Sequence, residues 1–171
     1  LPYTKALVAA VTAAASHAAS SHPLTNTTGP RKRAAVCVVT ADRGLAGGYS
    51  SNVIRQAEAL QTYLREHGVE PVLYVVGRKG VSYYKYRERH IENSWTGFTD
   101  QPTHANAREI ADALLEAFGN SSEQGGVDEI HLVYTEFKNM VVQAPVDKRL
   151  LPLEVEETKA GSADVVFPLY E

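Results

Sequence analysis

Two stretches of the chain are apolar at consecutive positions, 34–40 (AAVCVVT) and 71–76 (PVLYVV). Side chains alternate between the two faces of a strand, so an unbroken β-branched run describes a strand covered on both sides. A third run, 129–134 (EIHLVY), reads the same way. Between the runs the period lengthens to that of a helix. Val53, Ala57, Leu60 and Leu64 share one face of a segment that Ser50 or Ser51 can cap and that runs to His67, with Gly68 ending it. Residues 81–89 form a short helix. Thr103 caps another, with Ala107, Ile110, Ala111, Leu114 and Phe118 as its apolar face before Gly119. Segments 141–145 and 149–153 suit an antiparallel hairpin at one sheet edge, and 154–164 is an acidic loop of small residues. A β-α-β-α-α-β order of this kind implies an α/β fold, a Rossmann-like, mostly parallel sheet with helices on both faces.

The first part of the chain has a different character. Residues 3–21 carry eight alanines between Ala6 and Ala19, and Tyr3, Leu7, Val11, Ala14 and Ala18 form a narrow helical stripe. A stripe so poor in large side chains buries little area alone and calls for a partner helix. The organisation expected is a truncated helix at 1–21, the remnant of a coiled-coil helix, then a linker at 22–33 and one globular α/β domain at 34–171. The chain opens Leu1-Pro2 and holds one methionine, Met140, as a fragment of a longer protein would. The basic run Arg31-Lys32-Arg33 is expected to be a solvated lead-in to the first strand.

Composition narrows the function classes. The chain has 171 residues, 44% of them hydrophobic and 22% charged, which suits a single folded domain. No apolar stretch is long enough for a membrane helix, so direct insertion is not expected. A formal charge of −3 argues against a dedicated nucleic-acid binder. The single cysteine, Cys37, permits neither an internal disulfide nor a cysteine-based zinc site, and fits a reducing compartment.

The segment between the first strand and the following helix is the most distinctive: Asp42-Arg43-Gly44-Leu45-Ala46-Gly47-Gly48-Tyr49-Ser50-Ser51-Asn52. Glycine loops at that position cradle phosphates in doubly wound folds, so a nucleotide-binding enzyme using the 42–52 loop is one reading. The spacing fits neither phosphate motif. No lysine follows Gly48, and glycines at 44, 47 and 48 do not make G-x-G-x-x-G. The alternative is a tight turn with close backbone approach. The six histidines are scattered without metal spacing, and His131 within a strand reads as a satisfied core residue. Cys37 among valines reads as inert. Between 78 and 90, Arg78, Lys79, Lys85, Arg87 and Arg89 outnumber Glu88, with Tyr83, Tyr84 and Tyr86 interleaved. Such a segment can stack single-stranded RNA, or can be a helix with tyrosines on the sheet and cations outward. If the patch is functional, the negative net charge favours an acidic protein partner.

The 42–52 segment resembles the γ subunit of rotary F-type ATP synthases, whose pattern there is close to S-D-R-G-L-C-G-G-x-N-S-N after a hydrophobic strand. Gly77-Arg78-Lys79-Gly80, Thr135-Glu136-Phe137, Gln143-x-Pro145 and Leu150-Leu151-Pro152-Leu153 follow in family order, so the resemblance covers about 34–153. Ala46 replaces the usual cysteine, and the paired regulatory cysteines of the chloroplast branch are absent. The resemblance implies a central-stalk rotor subunit that couples turning of the membrane ring to ATP synthesis or hydrolysis, with no active site and no cofactor of its own. Its implied partners are the α and β subunits of the catalytic head, the ε subunit and the membrane ring of c subunits. The implied location is the cytoplasmic face of the cell membrane, as a peripheral subunit. Subunit contacts are expected at Asp42, Arg43, Gly44, Leu45, Gly47 and Gly48, with Arg43 reaching acidic residues on β, and at Arg78 and Lys79.

Overall fold

The computed structural model describes residues 31–43, 48–120, 124–137 and 143–152, together with Ala9 and Ala13. The expected helix at 3–21 (Ala9 and Ala13 apart), residues 22–30 of the expected linker and the acidic segment at 154–164 lie outside the described residues, and the first strand begins at Arg33, inside the expected linker.

Five strands, β1 (Arg33–Val39), β2 (Glu70–Val76), β3 (Asn93–Trp95), β4 (Glu129–Phe137) and β5 (Gln143–Leu151), form one sheet in the order β3-β2-β1-β4-β5. The first four are parallel and β5 is antiparallel to β4. Among the described residues, three helices cover it: α1 (Tyr49–Glu66), α2 (Arg78–Tyr86) and α3 (His104–Gly119). The apolar runs divide by parity, as strands covered on both faces require. Ala35, Cys37, Val39, Val72, Tyr74, Val76, Ile130 and Leu132 join a core with Ala107, Ile110, Ala111 and Leu114 of α3. Ala34, Val36, Val38, Leu73, Val75 and Val133 pack on the other face, with Val53, Ala57, Leu60 and Leu64 of α1 and Tyr84 of α2. The mostly parallel sheet between helical layers is thus the one implied by the hydrophobic pattern.

Several local expectations are corrected. Neither Ser50 nor Ser51 caps α1. The N-cap is Gly48, without a side-chain cap, and Ser50 lies inside the helix with Oγ accepting from Ala41 N at 3.2 Å. Helix α2 begins at Arg78 rather than 81, because the glycine at 77 turns the chain straight out of β2. Segments 141–145 and 149–153 are not two arms of a separate hairpin; one continuous strand, β5, runs back along β4. Strand β3 was not anticipated, since Asn93-Ser94-Trp95 is short and mostly polar. At 103 the expectation holds: Thr103 and Asn106 form a reciprocal capping box.

The basic run is not a solvated lead-in either. Arg31 pairs with Glu129 and Arg33 with Glu70, while the backbone N–H groups of Lys32 and Arg33 both donate to Asp128 Oδ2. Glu129 also accepts from His131 Nε2 at 2.6 Å, which satisfies that histidine inside the sheet. Burial pushes the Glu129 carboxyl up, but the hydrogen bonds from His131 and Arg31 outweigh it and hold the group below its usual range.

Cys37 is fully buried, and burial alone pushes its thiol up to about 12. The thiolate is the reactive species. A thiol reagent at pH 8 is therefore expected to modify the folded protein no faster than it opens, and a rapid phase under native conditions would contradict this.

Candidate functional site

The C-terminal ends of β1, β2 and β3 meet at one pole of the sheet, and the distinctive loop leaves from there. Thr40, just past β1, starts the arrangement. Its Oγ1 donates to Val76 O at 2.7 Å and accepts from Gly80 N at 2.9 Å. Two residues on, the Asp42 carboxylate joins two other loops. Oδ1 accepts from Arg78 N at 3.0 Å, and Oδ2 accepts from Gly97 N, Thr99 N and Thr99 Oγ1 at 2.9, 2.9 and 2.8 Å. Asp42 N in turn donates to Thr99 Oγ1 at 2.9 Å, and Lys79 N to Ala41 O at 3.0 Å. Partial burial raises the Asp42 pKa, but the hydrogen bonds from Thr99, Gly97 and Arg78 favour the charged form and bring it below its ordinary value.

Of the expected contact residues, the structure therefore joins Asp42 to Arg78 through the Asp42 carboxylate, with Lys79 held beside them by its backbone bond to Ala41. Arg43 points away: its Nε pairs with Asp100 Oδ2 at 2.9 Å, with side-chain exposures of 79% and 55%. Gly48 starts α1, its carbonyl accepting from Asn52 N at 2.8 Å. Gly44, Leu45 and Gly47 lie outside the described residues. Thr40, Thr99 and Asp100 were missed by sequence reasoning. The Gly77-Arg78-Lys79-Gly80 turn, whose glycines leave room for Thr40, was a signal for Thr40 alone.

The basic helix α2 keeps part of the second pattern, with Tyr84 in the sheet-face core, Tyr83 packed partly buried against it and Lys79, Lys85 and Arg87 exposed, and departs from it at Tyr86. Tyr84 is buried, with its hydroxyl accepting from Gln61 Nε2 at 3.2 Å. Tyr83 carries the Arg87 guanidinium 3.9 Å over its ring, and Tyr86 is 86% exposed. The tyrosines therefore do not make an open strip of three stacking platforms. Among the described residues no group of histidines, cysteines and carboxylates could hold a metal ion, and no helix is long and apolar enough to cross a membrane.

A family model described as ATP synthase matches residues 1–170. The chain belongs to the ATP synthase family. Among its relatives are the ATP synthase gamma chains of an Arthrobacter species, 53% identical over 171 residues, and of Acidothermus cellulolyticus, 49% identical over 170. These alignments take in 100% and 99% of this chain but 58% and 57% of the relatives, so the chain spans a little over half their length. The fold also matches a chain of the Tetrahymena thermophila mitochondrial ATP synthase central stalk and c-ring structure, at a TM-score of 0.52 and 22% identity. That match covers 80% of this chain and 58% of the other.

Proposed function

We propose that this chain is the globular part of the central-stalk rotor subunit of a proton-translocating F-type ATP synthase, coupling rotation of the membrane ring to ATP synthesis or hydrolysis in the catalytic head. The carrying observation is the near-complete alignment to gamma chains at about half identity. The rotor acts by changing which contacts each catalytic site makes as it turns, so its chemistry is differential contact rather than turnover. Its partners on this reading are the α, β and ε subunits and the c ring, and it works as a peripheral subunit on the cytoplasmic face of the membrane.

The geometry of the sheet pole supports a non-catalytic role. In doubly wound nucleotide sites, backbone N–H groups at this pole receive phosphate. Here the N–H groups of Arg78, Gly97 and Thr99 already serve the Asp42 carboxylate, which repels a second anion. The same carboxylate anchors the start of the glycine loop and leaves Arg43 outward. On this proposal, Arg43 meets acidic residues of β at the lower rim of the head.

The test pairs two measurements on Arg43→Ala. The exposed pair with Asp100 contributes little, so stability is expected to change by no more than about 1 kcal/mol. In the reconstituted synthase, loss of a desolvated charge-assisted contact costs on the order of 2 kcal/mol, and ATP-driven proton pumping falls accordingly. A destabilised chain with unaltered pumping would reject the rim contact.

A further inference from the structure

The starts of β1, β2 and β4 meet at the end of the sheet opposite the glycine loop, and the chain enters β1 there through Arg31, Lys32 and Arg33. These residues are fastened on both sides. Toward β2, Lys32 O accepts from Glu70 N at 2.8 Å, and Arg33 Nε pairs with Glu70 Oε2 at 3.1 Å. Toward β4, Asp128 Oδ2 accepts from Lys32 N and Arg33 N at 2.8 and 3.0 Å, while Asp128 N donates to Arg33 O at 2.8 Å. Arg33 Nη1 donates to Gly126 O at 3.2 Å, and the next residue, Val127, donates its N–H to Ala117 O of α3 at 2.9 Å. Arg31 reaches furthest in. It pairs with Oε1 of Glu129, a buried residue whose Oε2 accepts from the buried His131.

A buried ionic cluster is a costly way to hold strand ends together, since apolar side chains of similar volume often stabilise as well or better. What it adds is direction, because each bond fixes where the incoming chain sits. A sideways pull on a strand at its entry point opens ladder bonds one at a time. Fastening that point to both neighbouring strands makes the pull act on many bonds together.

We infer that Arg31, Asp128 and Glu129 clamp the chain where it enters the sheet, so that load arriving from the segment before residue 31 turns the whole domain instead of peeling β1. The inference rests on the rotor reading, in which the expected helix at 3–21 and this domain turn as one body. Arg31 and Glu129 are then positioning residues for coupling. The clamp shares no residue with the arrangement of Thr40, Asp42, Arg78 and Thr99 at the other pole, so it can fail while the rotor reading stands.

Hydrogen exchange on the unsubstituted full chain gives the first test. The amides of Lys32, Arg33, Glu70 and Asp128 should exchange as slowly as those of 34–39. In Arg31→Gln, which leaves Glu129 with His131, the amides of Lys32 and Arg33 should quicken at least about twofold while 34–39 stay slow. In vesicles of reconstituted synthase with the same substitution, protons pumped per ATP hydrolysed against an opposing gradient should fall at least about twofold. Hydrolysis with the gradient collapsed should stay at the parent rate. Arg31→Lys, which keeps a charge opposite Glu129, should pump at a higher ratio than Arg31→Gln. A residue that only stabilised the fold would lower hydrolysis and pumping together. Fast exchange at Lys32 and Arg33 in the parent, unaltered exchange in Arg31→Gln, or a parent pumping ratio in that variant would each overturn the proposal. So would a joint loss of hydrolysis and pumping that Arg31→Lys shares. A parent chain that supports no pumping would instead reject the rotor reading, and the coupling role of the clamp with it.

Discussion

Asp42→Ala is expected to destabilise the folded chain by about 3 kcal/mol, a fall in melting temperature of roughly 6–12 °C for a chain of this size. One carboxylate accepts from three backbone N–H groups and one hydroxyl. Hydrogen bonds to a charged acceptor contribute about 1.5–3 kcal/mol each, though not additively, and water can replace part of them at the more exposed Arg78 and Gly97. The loss is largest at Thr99, where the N–H is partly buried and the side chain loses its acceptor. Asp42→Asn should cost less, about 2 kcal/mol, because one oxygen remains while the amide presents N–H groups to donors.

The acid dependence follows from the same contacts. The folded pKa of Asp42 lies below its ordinary value, so ionisation stabilises the fold. That contribution is complete above the unfolded pKa of about 3.9 and is lost as pH falls through the lower folded value. The stability gap between the parent chain and Asp42→Asn should therefore be full at neutral pH and narrow below about pH 4. A gap independent of pH would mean that the hydrogen-bond geometry, rather than the charge, carries the effect.

The strands and helices that carry the core were legible because burial writes itself locally: continuous runs at 34–40 and 71–76, and helical stripes at Val53–Leu64 and Ala107–Leu114. The elements that went unread are those whose cause lies elsewhere in the chain. Strand β3 exists because Tyr74, Val75 and Val76 offer it a parallel edge, which three residues of its own sequence cannot signal. The start of α2 depends on Thr40 and Asp42, thirty-six or more residues away. The glycine loop was legible as a motif, yet its aspartate reads differently in the fold. Its contacts at 97 and 99 are 55 and 57 residues distant, so nothing near Asp42 reveals that it binds its own chain together. Arg43, beside it, is outward and paired with an acid that no local pattern indicated.

Gly77→Ala is expected to be more damaging still, about 4 kcal/mol, and the two causes can be separated. The residue sits at φ 96° and ψ 141°, a conformation that side-chain-bearing residues avoid, costing on the order of 1–3 kcal/mol. A Cβ there would also run into the Thr40 backbone carbonyl and its Oγ1, and Oγ1 cannot retreat without giving up its bonds to Val76 O and Gly80 N. Overpacking of that kind adds about 1–3 kcal/mol. Gly68 isolates the first term: its φ is 75°, but a Cβ would meet nothing within 4 Å, so Gly68→Ala should cost only about 1 kcal/mol. Gly80 isolates the second. It lies inside α2 without positive φ, yet its Cβ would crowd Val75 Cγ1 and Thr40 Oγ1 at 2.7 and 2.9 Å. There the helical preference for alanine offsets part of the crowding, and Gly80→Ala should fall between the other two. Denaturant melts of the three variants give the ordering directly. If Gly77→Ala proved no worse than Gly68→Ala, the close approach of Thr40 would not be what holds this glycine in place, and the account of the sheet pole as a tightly interlocked platform would fail with it.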